Sequence, residues 1–168
     1  MLAAALAAMA PEDLLSRAFF RGPEFLDDTA HFNFNLAGEY AESMYWRRLA
    51  PQIEDVHSRG CAIERKNRAK RPDAWARYIG ARSITAQTVT SIRSERGRYT
   101  FVVEHVPNAD DQAHTHISIR IVGAEGAKLT TKLQKNDRLE IIEKLMRALS
   151  PLEPHSCAQE KLPPVGTP

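Results

Sequence analysis

The chain has 168 residues, of which 43% are hydrophobic and 26% charged, with a formal net charge of +2. This length and composition suit one globular domain with its own core and exclude a low-complexity or fibrous polymer. No run approaches the roughly 20 apolar residues that a membrane span needs, so no membrane partner is expected.

Two cysteines, Cys61 and Cys157, are too few and too far apart for a disulfide framework or a cysteine-based zinc site, and suit the reducing cytoplasm. The charge is unevenly spread. Between Arg59 and Arg98 eleven Lys and Arg residues stand against Glu64, Asp73 and Glu95 alone, so this tract is +8 and the remainder −6. Such segregation suits an anionic partner on one face.

The opening MLAAALAAMAPEDLL has the apolar run and A-x-A spacing of a signal peptide, but no basic residue precedes the run. Pro11-Glu12-Asp13 reads instead as a helix start. Residues 12–20 are predicted as a short amphipathic helix that Gly22-Pro23 ends. Residues 36–49 are predicted as a second helix, with Leu36, Tyr40 and Met44 on one stripe and Ala41, Tyr45 and Leu49 on the next. Pro51 opens a further turn through Ile53 and Val56, which Gly60 would end. Residues 61–82 are the most polar and basic segment, read as a loop or solvated helix anchored by Trp75, Tyr78 and Ile79.

The period then drops to two. Residues 84–93 are rich in β-branched types and read as a strand, followed by a Glu95-Arg96-Gly97 hairpin loop and a strand over 98–106. Residues 107–113 form a turn-rich loop. In 114–122, Ile117, Ile119 and Ile121 face one side and His114, His116, Ser118 and Arg120 the other. A turn at 123–126, a fourth strand over 127–133 and a final helix follow. Asp137 and Glu140 are a plausible capping pair for that helix, and Leu139, Ile142, Met146 and Leu149 its buried stripe. From Ser150 onward five prolines and no period predict a disordered tail. The fold class expected is α+β, a single domain over 1–149. It has N-terminal helices, a three- to four-stranded antiparallel meander and a C-terminal helix packed on the sheet.

Three of the six histidines, His105, His114 and His116, fall within a dozen residues. His114 and His116 are two apart and project from one face of their strand. His105 joins them only through a bulge or a shifted register, because pairing Val103 with Ile117 puts it on the apolar face. Three neutral imidazoles suit a divalent metal such as Mg, Mn or Zn, with Glu104, Asp110 and Asp111 at hand to orient ring nitrogens.

The run YTFVVEHVPNADDQAHTHISIRIVG resembles the three-histidine motif of the HUH-type relaxases, conjugative DNA-nicking enzymes of bacterial plasmid mobilisation. The likeness spans about residues 98–149, with Ala113 where many members carry proline. It implies His105, His114 and His116 as metal ligands presenting a scissile DNA phosphate to a tyrosine. Tyr45 and Tyr40 are the candidates by position. A two-histidine phosphoesterase pattern at His116-Ile117-Ser118 is similar in kind but lacks the second copy that such proteins need.

The tract Arg65, Lys66, Arg68, Lys70 and Arg71 is a typical footprint for phosphates, and Trp75 and Tyr78 after it could stack on the bases of a single strand. The reading is therefore a DNA-associated protein with a relaxase-like metal or phosphate site. The alternative is a non-enzymatic interaction or regulatory module whose histidines are structural.

Overall fold

The computed structural model describes residues 9–23, 31, 32, 34, 41–130 and 132–158. In chain order the elements are β1 (Leu14–Arg21), β2 (Ala41–Trp46), α1 (Ile53–Lys70), β3 (Arg77–Thr85), α2 (Ala86–Ser91), β4 (Tyr99–His105), β5 (His114–Ile121), α3 (Lys135–Ala148) and β6 (Glu153–Pro154). The strands make one antiparallel sheet in the order β4-β5-β2-β1-β3-β6. The class is α+β, as expected, but the described residues hold six strands rather than three or four, and the order is no meander. The connection through α1 carries β3 to the far side of β1. The one through α2 sends the β4–β5 hairpin to the opposite edge.

Helices cover both faces. On one face Leu15, Phe19, Met44, Trp46, Ile84, Phe101, Ile117 and Ile119 pack with Val89 of α2 and with Ile141, Ile142 and Leu145 of α3. On the other face α1 lies over β1 and β3, where Ala18, Phe20 and Tyr78 meet Tyr45 and Cys61. Ser43, Glu104, His114 and His116, farther along the sheet, stay exposed or half-buried.

Two expected helices are strands. Residues 14–21 form β1, the interior strand between β2 and β3. A strand buried on both faces loses the apolar–polar alternation that would mark it, and its spacing then imitates a helix. Residues 41–46 form β2, so the stripes proposed over 36–49 do not exist there; residues 36–40 lie outside the described residues.

Gly60 does not end its helix. α1 runs on to Lys70, and Gly60 is where the Tyr78 ring lies so close that a Cβ would overlap it. The stop is Arg71, directly before Pro72. The solvated-helix reading of 61–82 therefore holds for its first half, and β3 occupies the end.

The strand expected over 84–93 is mostly α2. The Thr85 hydroxyl accepts the Thr88 N–H and starts the helix, a local cap outweighing β-branched propensity. The turn at Gly97 forms with φ 66°, but it joins α2 to β4 through a single bridge, Arg93 to Thr100. β4 and β5 match expectation closely. Residues 127–130, 132 and 133 form no strand; Leu129 and Leu133 instead plug the core, and residue 131 lies outside the described residues. α3 starts after Gln134. Its Glu140 takes the Glu95 N–H and Lys144 rather than capping, and Ile141 and Leu145 are buried while Leu139 is 46% exposed.

The largest correction lies at the C-terminal end. Residues 150–158 are a strap along the β3 edge, and the rest of the expected tail, 159–168, lies outside the described residues. Ser150 N–H donates to the Ser83 carbonyl, β6 pairs with Gly80 and Ala81, and His155 N–H donates to the Ile79 carbonyl. Cys157 closes a disulfide with Cys61 of α1, 96 residues away, at a Cα separation of 5.5 Å. The expectation of no disulfide is thus overturned. Distance along the chain says little about two residues that a sheet edge brings together.

Candidate functional site

The β4–β5 register decides the histidine cluster. Val103 pairs with Ile117 and His105 with Thr115, so His105 stands on the opposite sheet face from His114 and His116. Its ring packs edge-on against Trp46 at 4.9 Å, and its Nε2–H donates to the Gln112 carbonyl at 2.7 Å. His114 and His116 share the other face with ring centroids 4.9 Å apart. His114 is engaged at both nitrogens, with Nδ1 2.7 Å from the Val106 carbonyl and Nε2 3.0 Å from Ser43 Oγ.

The three rings do not converge, and no group of three His, Cys, Asp or Glu among the described residues is placed to hold a metal. His105 therefore does not stand beside the two rings that the resemblance groups it with. The supporting carboxylates are occupied elsewhere: Glu104 pairs with Arg120 at 3.2 Å, and Asp111 takes a two-pronged bond from Arg59 at 2.8 and 2.9 Å. Asp110 is exposed.

Tyr45 does reach this face. It sits directly across from His114 in the β2–β5 pairing, with the Arg59 guanidinium 5.3 Å over its ring. Burial, with the Asp111 charge adding, pushes the Tyr45 hydroxyl above the ordinary tyrosine range, against the pull of Arg59 and Arg17. Tyr40 lies outside the described residues.

The basic tract forms a second, separate surface. Arg65, Lys66, Lys70 and Arg71 are exposed on the last turns of α1 and just beyond, with Arg68 half-buried. Trp75, in the loop to β3, is half-buried and lines three adjoining clefts. One is walled by Asn67, Lys70 and Arg71, a second by Arg21 and Arg77, and a third by Arg68, Arg77 and Cys157. The guanidinium carbons of Arg68 and Arg77 stand 5.4 and 5.5 Å from the Trp75 ring.

Neither guanidinium makes a hydrogen bond or ion pair among the described residues. Tyr78 cannot share the stacking role proposed for it. It is 1% exposed, its hydroxyl is hydrogen-bonded to His57 Nδ1 at 2.8 Å, and its N–H donates to the buried Glu64 at 2.6 Å.

No family model, curated protein or solved structure matches this chain. The site therefore rests on its own geometry. Sequence reasoning missed Ser43, which carried no signal inside a predicted helix, and Arg59, Arg77 and Arg21, whose roles depend on tertiary proximity. It also missed the stacked pair His57 and His155, centroids 4.2 Å apart beside the disulfide.

Proposed function

We propose that this protein binds single-stranded nucleic acid, with Trp75 and its flanking arginines as the platform. The observation that carries the reading is the placement of Arg68 and Arg77 over one half-buried indole, with Lys70 and Arg71 in the adjoining cleft. An arginine stacked on an aromatic face keeps its N–H edge free for phosphate, and the paired planes suit a base. DNA is the partner that the relaxase resemblance suggests. Strand scission is not proposed, because the three histidines are split between the two faces of the sheet. We also propose an oxidising compartment rather than the cytoplasm, because the disulfide ties the strap that walls the third Trp75 cleft. Among the described residues no helix is long and apolar enough to cross a membrane.

Trp46 is 2% exposed, so Trp75 is the indole within reach of a ligand. A short single-stranded oligonucleotide should quench its fluorescence, and Trp75→Ala should weaken binding by about 5- to 100-fold, as expected for a lost stacking contact. Equal affinity of wild type and Trp75→Ala would refute the platform.

A further inference from the structure

Ser43 and His114 form a pair that neither the core nor the Trp75 surface explains. Ser43 is exposed on β2, and its Oγ lies 3.0 Å from His114 Nε2. The other ring nitrogen is 2.7 Å from the Val106 carbonyl, which can only accept. Nδ1 therefore carries a proton, and in the tautomer protonated there alone Nε2 turns its lone pair to the Ser43 hydroxyl. This is the polarity of a general base beside a nucleophile, with the base oriented by a third group. His116 packs edge-on against the same ring and limits its rotation. Beneath, the Arg17 guanidinium donates to the Ser43 carbonyl and is itself held by Glu42, which fixes β2 at this point.

A cleft opens at Ser43. Ala18, Phe20, Tyr45 and Ile63 supply its apolar lining, and Arg17 and His31 complete the wall. Tyr45 is two residues along the strand and faces the same side, and its hydroxyl stays protonated, so it remains a hydrogen-bond donor.

We propose that Ser43 and His114 are a nucleophile–base pair that hydrolyses small carboxylic esters, with an apolar acyl group seated against Phe20 and Ile63. Ser43 Oγ attacks the carbonyl carbon while its proton passes to His114 Nε2. The Val106 carbonyl keeps the Nδ1 proton and steadies the imidazolium. The Tyr45 hydroxyl donates to the oxyanion. Collapse breaks the ester C–O bond, and the alcohol leaves with the proton from Nε2. Water then attacks the acyl-serine, giving a proton to His114. Ser43 recovers that proton as the carboxylic acid departs. No oxidant, metal or second substrate is required. An ester is favoured over an amide because alkoxide is the easier leaving group for an unassisted pair.

The test uses the full chain with p-nitrophenyl butyrate as substrate and a fluorophosphonate as covalent probe, read by intact mass and peptide mapping. The expected result is turnover of the ester and one adduct, mapped to Ser43. Ser43→Ala should lose both. His114→Gln, which preserves a hydrogen bond but not a base, should slow both by at least about 100-fold. Circular dichroism and thermal unfolding check that the variants fold. If His114→Gln does not fold, the adduct position on the wild-type chain still decides. No adduct on wild type, an adduct at another residue, or ester turnover unchanged in Ser43→Ala would overturn the proposal.

Discussion

Arg17 shows how single side chains bind this sheet together. Its guanidinium reaches Glu42 at 3.0 Å, donates to the carbonyls of Ser43 and His31, and lies 4.7 Å over the Phe32 ring. Burial lowers its pKa, and the Glu42 charge works in the other direction. Glu42 also accepts the Phe34 N–H at 2.9 Å. Removing one partner of such a pair strands a buried charge. Glu42→Leu should therefore cost about 3–5 kcal/mol in urea unfolding, and the double change with Arg17→Met distinctly less. A loss below about 1 kcal/mol for Glu42→Leu would show that the pair is not structural.

The stacked rings of His57 and His155 make a second residue-scale prediction. Burial, followed by the nearby His155, lowers the His57 pKa, while Glu153 and Glu54 oppose and Arg47 adds to the fall. Tyr78 faces the same ring and stays neutral, since burial raises its own pKa. With the folded pKa below the unfolded value of about 6.5, the unfolded chain takes up a proton first. This pair's contribution is thus complete above about pH 6.5 and is lost as pH falls toward the folded pKa. Thermal unfolding followed from pH 7.5 to 5 should show a declining midpoint, and His57→Phe should flatten the decline. An equally steep slope in His57→Phe would remove His57 as its cause.

At the scale of elements, Gly60 carries the contact between α1 and β3. Helix propensity alone makes Gly→Ala stabilising by about 1 kcal/mol. Here the added Cβ would meet the ring of Tyr78, which is 1% exposed, with its hydroxyl bonded to His57 and its backbone N–H donating to Glu64. Gly60→Ala should instead destabilise by about 1–3 kcal/mol, read from the denaturation midpoint. A gain in stability would mean that α1 can slide on the sheet.

The same contrast explains what could be read beforehand. β4 and β5 were legible because their two faces differ: Phe101, Ile117 and Ile119 enter the core while Glu104, His114 and His116 do not. β1 was not, because α1 and the main core bury both of its faces. α2 hid behind β-branched residues and was set by one hydroxyl, that of Thr85. The parity that separates His105 from His114 and His116 was also readable, since it follows from pairing Val103 with Ile117. Ser43 beside His114 was not readable, because two segments 71 residues apart must first become neighbours.

For the whole molecule, the Cys61–Cys157 disulfide joins α1 to the strap at the β3 edge and closes a loop of 96 residues. A cross-link of that span removes about 4–5 kcal/mol of unfolded-chain entropy in the loop-closure account. Reduction, or Cys61→Ser with Cys157→Ser, should cost about 2–5 kcal/mol and lower the unfolding midpoint. An unchanged midpoint under reductant would argue against the bridge and with it the oxidising compartment. The bridge also holds Cys157 in the wall of the cleft between Arg68 and Arg77, so the loss of stability should be accompanied by weaker ligand binding.

The binding claim is tested most directly by anisotropy of a labelled single-stranded oligonucleotide, titrated with wild type and with Arg68→Ala/Arg77→Ala across a salt series. Phosphate contacts by Arg68 and Arg77 predict that log affinity falls linearly with log salt, and that the double variant binds more weakly with a slope shallower by about 1–2. Absence of binding at low salt, or the same affinity and slope in both proteins, would contradict the account.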